Sequence, residues 1–153
     1  MADVLYSTTE AIRSAIGMQD IELPDAVFTD QDLAVQMRTS LYGFVPAHAT
    51  LYAAGEEVGA TDQEVYIRDL LSQYCMFFGA VRMLESPWHA RKQVSDGKSQ
   101  VQRFDIDWLE LLNNLKAKLK EVADLLDEQV NGSVDGIPYF GLARPDYDPV
   151  TNT

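Results

Sequence analysis

A single cysteine, two histidines and half as many cations as carboxylates leave this sequence little with which to do several kinds of chemistry. Cys75 has no partner for an intrachain disulfide, so a reducing compartment is expected. His48 and His89 stand about forty residues apart, with no His-x-x-x-His or Glu-x-x-His pair, so no metal site is expected. Neither Gly-x-x-x-x-Gly-Lys nor Gly-x-Gly-x-x-Gly occurs, which removes the common phosphate cradles and the cofactors they hold. The longest strongly apolar run, "YCMFFGAV", has eight residues before Arg82 and is far too short to span a membrane. The opening "MADVLYSTTEAIRSAIG" lacks the basic start and apolar run of a secretory leader. Twelve cations against 24 acids give a net charge of −12 and a pI near 4.4. Such a surface repels nucleic-acid phosphates, and tight DNA binding is not expected.

What remains is apolar and helical. Apolar residues make up 46% of 153 positions, enough for one domain with a core. "STTE" at Ser7–Glu10 has the form of a capping box, and Ile12, Ala15 and Ile16 follow at helical spacing before Gly17. "GMQDIELPDAVFTD" reads as a loop, broken at Pro24. Thr29 or Asp30 can cap a second helix to about Tyr42, whose stripe is Leu33, Met37 and Leu41 with Val35 outside it. The segment 44–60 fits either a loop or a short helix opened by Pro46. "TDQE" at Thr61–Glu64 is a second capping box, and Ile67, Leu70, Leu71, Tyr74, Phe77, Phe78, Val81 and Leu84 then recur at three and four. Gly79 weakens this helix, and close approach of another helix is one reason to keep it. A last helix from near Asp105 to about residue 130 carries Trp108, Leu112, Leu115, Leu119, Val122 and Leu126, a heptad-like stripe, with Lys116, Lys118 and Lys120 opposite. The spacing predicts an all-α fold: a small helical bundle over 1–131, centred on a long antiparallel helix pair. An extended tail over 132–153, rich in proline and glycine, follows it.

No catalytic constellation stands out. Cys75 lies within the most apolar run, where a thiol behaves as a small hydrophobe. Asp105 and Asp107 suit a helix start, and no pair of carboxylates has environments that would split acid from base. The segment "WHARK" (Trp88–Lys92) is the densest basic patch; it suits a helix C-terminus first, and a contact with an acidic neighbour second. The stretch "QVSDGKSQVQRFD" joins the two long helices through a turn at Asp96-Gly97. At about a dozen residues it exceeds the usual two to eight for a helix–helix link. A loop reaching a neighbouring subunit explains that length, with Arg91, Lys92, Asp96, Gly97 and Lys98 as interface residues. The tail holds Ile137, Tyr139, Phe140, Arg144 and Tyr147, anchors that suit docking in extended form on another protein.

The order of these parts resembles the head-to-tail adaptor, or connector, proteins of tailed bacteriophages. The resemblance rests on "LPDAVFTDQDL", the apolar helix "YIRDLLSQYCMFFGAVRML", the turn in "VSDGKSQVQRF", the helix "DIDWLELLNNLKAKLKEVADLL" and the tail after it. It implies a neck component of the virion, assembled in the host cytoplasm as a homo-oligomeric ring of about twelve copies. Such a ring lies between the portal protein, which the tail would bind, and a stopper or tail protein. DNA passes through its channel without specific binding. No catalytic residue, metal or cofactor is implied. The alternatives are a stopper or tail-completion protein, or a small helical regulator or chaperone that binds a partner helix.

Overall fold

The computed structural model describes residues 3–18, 23–30, 32–86 and 107–132. Among them run six helices: α1 (Thr9–Ile16), α2 (Asp25–Asp30), α3 (Leu33–Tyr42), α4 (His48–Glu56), α5 (Asp62–Glu85) and α6 (Trp108–Asn131). Two strands of two residues each, β1 (Asp3–Val4) and β2 (Ser7–Thr8), pair antiparallel ahead of α1. The fold is all-α, a small bundle in which α5 packs against α6, α4, α1, α3 and β2.

Helix α5 begins as its sequence requires. The Thr61 hydroxyl accepts from the Glu64 N–H, and the Glu64 carboxylate accepts from the Thr61 N–H at 2.7 Å, closing the capping box. From Tyr74 to Met83 the helix buries Tyr74, Cys75, Phe78, Gly79, Ala80, Val81 and Met83. In α6, Leu115, Val122 and Leu126 are buried, and Trp108, Leu112 and Leu119 pack half-buried against the same core, so the heptad stripe is the inner face. The two helices run antiparallel. Lys116, near the start of α6, pairs with Glu85 at the end of α5 at 2.7 Å. At the other end of α6, Asn131 donates to the Phe44 carbonyl, and Phe44 meets Tyr74 edge-on at 5.3 Å.

The remaining helices close the core around α5. Leu33, Met37 and Leu41 of α3 are fully buried, while Val35 is 57% exposed, as the four-residue spacing requires. The ambiguous segment is helical over His48–Glu56; the Val45 carbonyl accepts from the His48 N–H and the Ala47 carbonyl from Leu51. Three sequence expectations need correction. Thr8, not Ser7, caps α1, accepting from the Ala11 N–H, because Ser7 and Thr8 are held in β2. The stretch after Pro24 is not all loop: the Pro24 carbonyl accepts from the Val27 N–H, and burial of Val27 and Phe28 draws Asp25–Asp30 into a helical turn and a half. Thr29 and Asp30 therefore belong to α2, and α3 starts from Asp32 at a left-handed φ of 47°, without a side-chain cap. The last helix starts one cap later than expected, with the Asp107 carboxylate accepting from the Leu109 and Glu110 N–H groups.

Two glycines mark where helices nearly touch. A Cβ on Gly79 would lie 2.7 Å from Cδ1 of Ile12 and 3.0 Å from Cε of Met37, so α1 and α3 both press on α5 there. A Cβ on Gly55 would lie 2.5 Å from Cβ of Arg68 and 2.6 Å from the Glu64 carbonyl oxygen, which fixes how closely α4 crosses α5.

These contacts set two expectations for chemical denaturation. Gly55→Ala should destabilise by about 2–3 kcal/mol, because it meets a Cβ and a carbonyl that cannot swing aside. Gly79→Ala meets side-chain atoms of Ile12 and Met37 rather than backbone and regains about 1 kcal/mol of helix propensity, so it should cost less. Phe78→Ala, at a residue only 8% exposed, should cost about 3–5 kcal/mol. Equal midpoints for the two glycine variants would show that the α4–α5 crossing yields.

Candidate functional site

The interior is chemically closed. Among the described residues every buried side-chain nitrogen and oxygen has a hydrogen-bond partner. Cys75 is fully buried, and burial pushes its thiol up to about 12, far from a nucleophile's range. His48 is 5% exposed and its Nδ1 lies 2.6 Å from the Tyr6 hydroxyl; Tyr6 in turn stacks on Tyr52 at 4.2 Å. Burial first, then the charge of Arg38, holds the imidazole below its ordinary range.

Arg13 is the second polar knot, and sequence spacing did not reveal it. It is 7% exposed in α1, and its Nε donates to the Leu23 carbonyl at 2.6 Å. One Nη donates to Thr9, the other pairs with the Asp25 carboxylate, and the guanidinium lies over the Phe28 ring at 5.3 Å. This single side chain fastens α2 and the chain before it onto α1. Its partners come ten to fifteen residues later in a stretch without periodicity, so only the Pro24-Asp25 turn signal pointed at the place.

The surface is where the molecule has something to offer. A shallow open groove of about 350 Å³ runs between α3 and α5, lined by Val35, Gln36, Thr39, Ser40, Phe78 and Arg82. Charge is sorted along the sequence of α5, α6 and the connection between them. Residues 82–120, the end of α5 through the first half of α6, hold eight of the twelve cations and only five of the 24 acids. At the opposite end, Glu121, Asp124, Asp127 and Glu128 lie in the last three turns of α6, whose final turn holds no cation. Acids at a helix C-terminus oppose the helix dipole; Asp124 is offset by its pair with Lys120 and Asp127 by the Asn131 amide, while Glu121 and Glu128 are exposed.

The residues expected to make intermolecular contacts lie outside the described residues: Arg91, Lys92, Asp96, Gly97 and Lys98 between the long helices, and Ile137, Tyr139, Phe140, Arg144 and Tyr147 after α6. His89 lies outside them too. Their points of attachment are described. The connection leaves at Ser86 and returns at Asp107, while the chain leaves α6 at Gly132. Each long helix has 24 residues, about 36 Å, so these attachments stand at opposite ends of the pair. Asn131 pins the second one, donating to Asp127 at 2.6 Å and to the Phe44 carbonyl at 3.3 Å. No group of three or more metal-ligating side chains occurs among the described residues, and no described helix is long and apolar enough to cross a membrane.

Acid should loosen the Arg13 knot. The Thr9 hydroxyl and then Arg13 hold the Asp25 carboxyl below its ordinary value of 3.8. A carboxyl depressed in the folded state contributes stability above its unfolded value, and that contribution fades as pH falls below 3.8 toward the folded value. Arg13→Met should remove about 1.5–3 kcal/mol at neutral pH through its lost bonds, and should flatten the acid limb of a pH–stability curve. An unchanged acid limb in that variant would dismiss the pairing. Searches against protein-family models, curated proteins and solved structures return no match to this chain.

Proposed function

We propose that this chain is a structural component of a tailed-phage neck, an adaptor whose copies associate head to tail into a ring between the portal and the stopper or tail. The observation that carries this reading is the pair of attachment points at opposite ends of α5 and α6, in regions of opposite charge. A ring built by one repeated contact needs two different, complementary surfaces on each copy. The cation-rich connection, with Arg91, Lys92, Asp96, Gly97 and Lys98, would meet the acidic end of the next copy. The segment after Gly132 would reach a different protein, the portal, through Ile137, Tyr139, Phe140, Arg144 and Tyr147. A strongly acidic chain leaves little affinity for DNA phosphates, which suits a channel through which DNA slides without sticking.

The groove between α3 and α5 favours a second reading, a small helical regulator that receives one partner helix across Val35 and Phe78. The two differ in what binds. An adaptor is recruited by a portal ring, and its particle grows to many copies; a regulator forms a small complex with a helical peptide.

Deletion of residues 133–153 tests the adaptor reading. The truncated chain should keep its helical circular dichroism and its solubility, and should no longer co-purify with portal rings that retain the full chain. Retention of the truncated chain on the portal would refute tail docking. The full chain should show negligible affinity for duplex DNA at physiological salt; tight, strongly salt-dependent binding would point to a nucleic-acid role instead.

A further inference from the structure

The hairpin of β1 and β2 lies over the corner where α4 meets α5, and Tyr6 is its fastener. Tyr6 stands in the turn directly after Leu5, whose φ of 57° is a left-handed conformation that a leucine adopts only under constraint. Three contacts supply that constraint. The Tyr6 hydroxyl bonds Nδ1 of His48 at 2.6 Å, its ring stacks on Tyr52 at 4.2 Å, and the adjoining strand β2 packs on α5. Val4 and Ser7 on either side are buried, so the hairpin closes the site from outside. The titratable and charged groups around this knot are Tyr6 of the hairpin, Tyr52 of α4, Arg38 of α3 and Cys75 of α5. No described carboxylate is paired with His48.

We propose that the N-terminal hairpin is an acid-released clasp: protonation of His48 frees Tyr6, and residues 3–7 leave the α4–α5 corner while the helices stay packed. With its proton on Nε2 the neutral ring accepts the phenol's proton at Nδ1; an imidazolium carries a proton there and cannot accept. The hydroxyl can turn round and accept instead, but a cation then stays buried near Arg38 without a carboxylate to balance it. Departure of the hairpin is the lightest relief, since it is a six-residue element that buries one large apolar side chain, Val4, and Leu5 relaxes when it goes. The sign follows from the same surroundings. Burial and Arg38 lower the histidine in the closed state, so closure is fully favoured above the ordinary value of 6.5 and weakens as pH falls below it.

Cys75 is the sole cysteine of the chain and is fully buried, which makes it the reporter. Its rate of reaction with 4,4′-dithiodipyridine is measured on the full chain and divided by the rate for glutathione at the same pH. Because the closed state holds the histidine below its ordinary value, the normalised wild-type rate should rise as pH falls from about 7.5 to about 5. In His48→Gln, which keeps an acceptor for Tyr6 but cannot charge, the ratio should stay flat. In Tyr6→Phe it should be raised already at neutral pH. Hydrogen exchange read by mass spectrometry should speed up at residues 3–7 in acid while α5 and α6 keep their protection. A flat wild-type ratio, an equal rise in His48→Gln, or loss of α5 protection together with the hairpin would each overturn the clasp.

Discussion

Helix α5 cannot be left in water. Its stretch from Tyr74 to Met83 carries one charge, Arg82, and buries residues on nearly every side, so the other elements are arranged to cover it. α6 covers one flank with its heptad stripe, α1 and α3 converge on Gly79, α4 crosses at Gly55, and β2 touches it beside the N-terminal hairpin. A cavity or a surplus methyl group along this helix is felt by several neighbours at once, because close-packed interiors do not deform cheaply. The polar ties serve the same end. Ser40 bonds the Tyr74 hydroxyl at 2.7 Å, Arg13 gathers α2 against α1, and Tyr6 closes the corner above Cys75.

How much of this was legible depended on whether a physical signal was periodic. The stripe of α6, the Leu33–Met37–Leu41 face of α3 and the capping box at Thr61 each repeat or pair at fixed local spacing, and each stands in the fold as read. Gly79 was legible for a different reason: a glycine within an apolar helix needs a close neighbour, and Ile12 and Met37 provide it. What local pattern could not supply was partnership across the chain. Nothing near Arg13 names Leu23 or Asp25, and nothing near Tyr6 names His48, 42 residues away. The α1 cap moved from Ser7 to Thr8 because strand pairing with Asp3 and Val4 outweighed a cap motif. For the residues expected to make contacts, from Arg91 to Lys98 and from Ile137 to Tyr147, only the points where their segments join the helices are described.

Those points give the molecule its polarity. Most of the cations fall, in the sequence, between the end of α5 and the first half of α6, and α6 ends in acids that oppose the helix dipole. Pairs within the chain, Lys116 with Glu85 and Lys120 with Asp124, offset only part of this charge. The rest is useful if the basic end of one copy meets the acidic end of the next, since the attraction sets direction and rejects like-to-like pairing. Interior chemistry takes no part in this, because the buried polar atoms among the described residues are satisfied within the chain.

The most direct measurement is the number of chains held per portal ring, by native mass spectrometry, for charge-reversed variants. Head-to-tail association predicts that Arg91, Lys92 and Lys98 changed together to glutamate abolish ring formation. Adding lysines at Asp124, Asp127 and Glu128 of the same chain should then restore about twelve copies. Full assembly by the first variant, or failure of the second to recover any, would contradict the claim that these two ends meet.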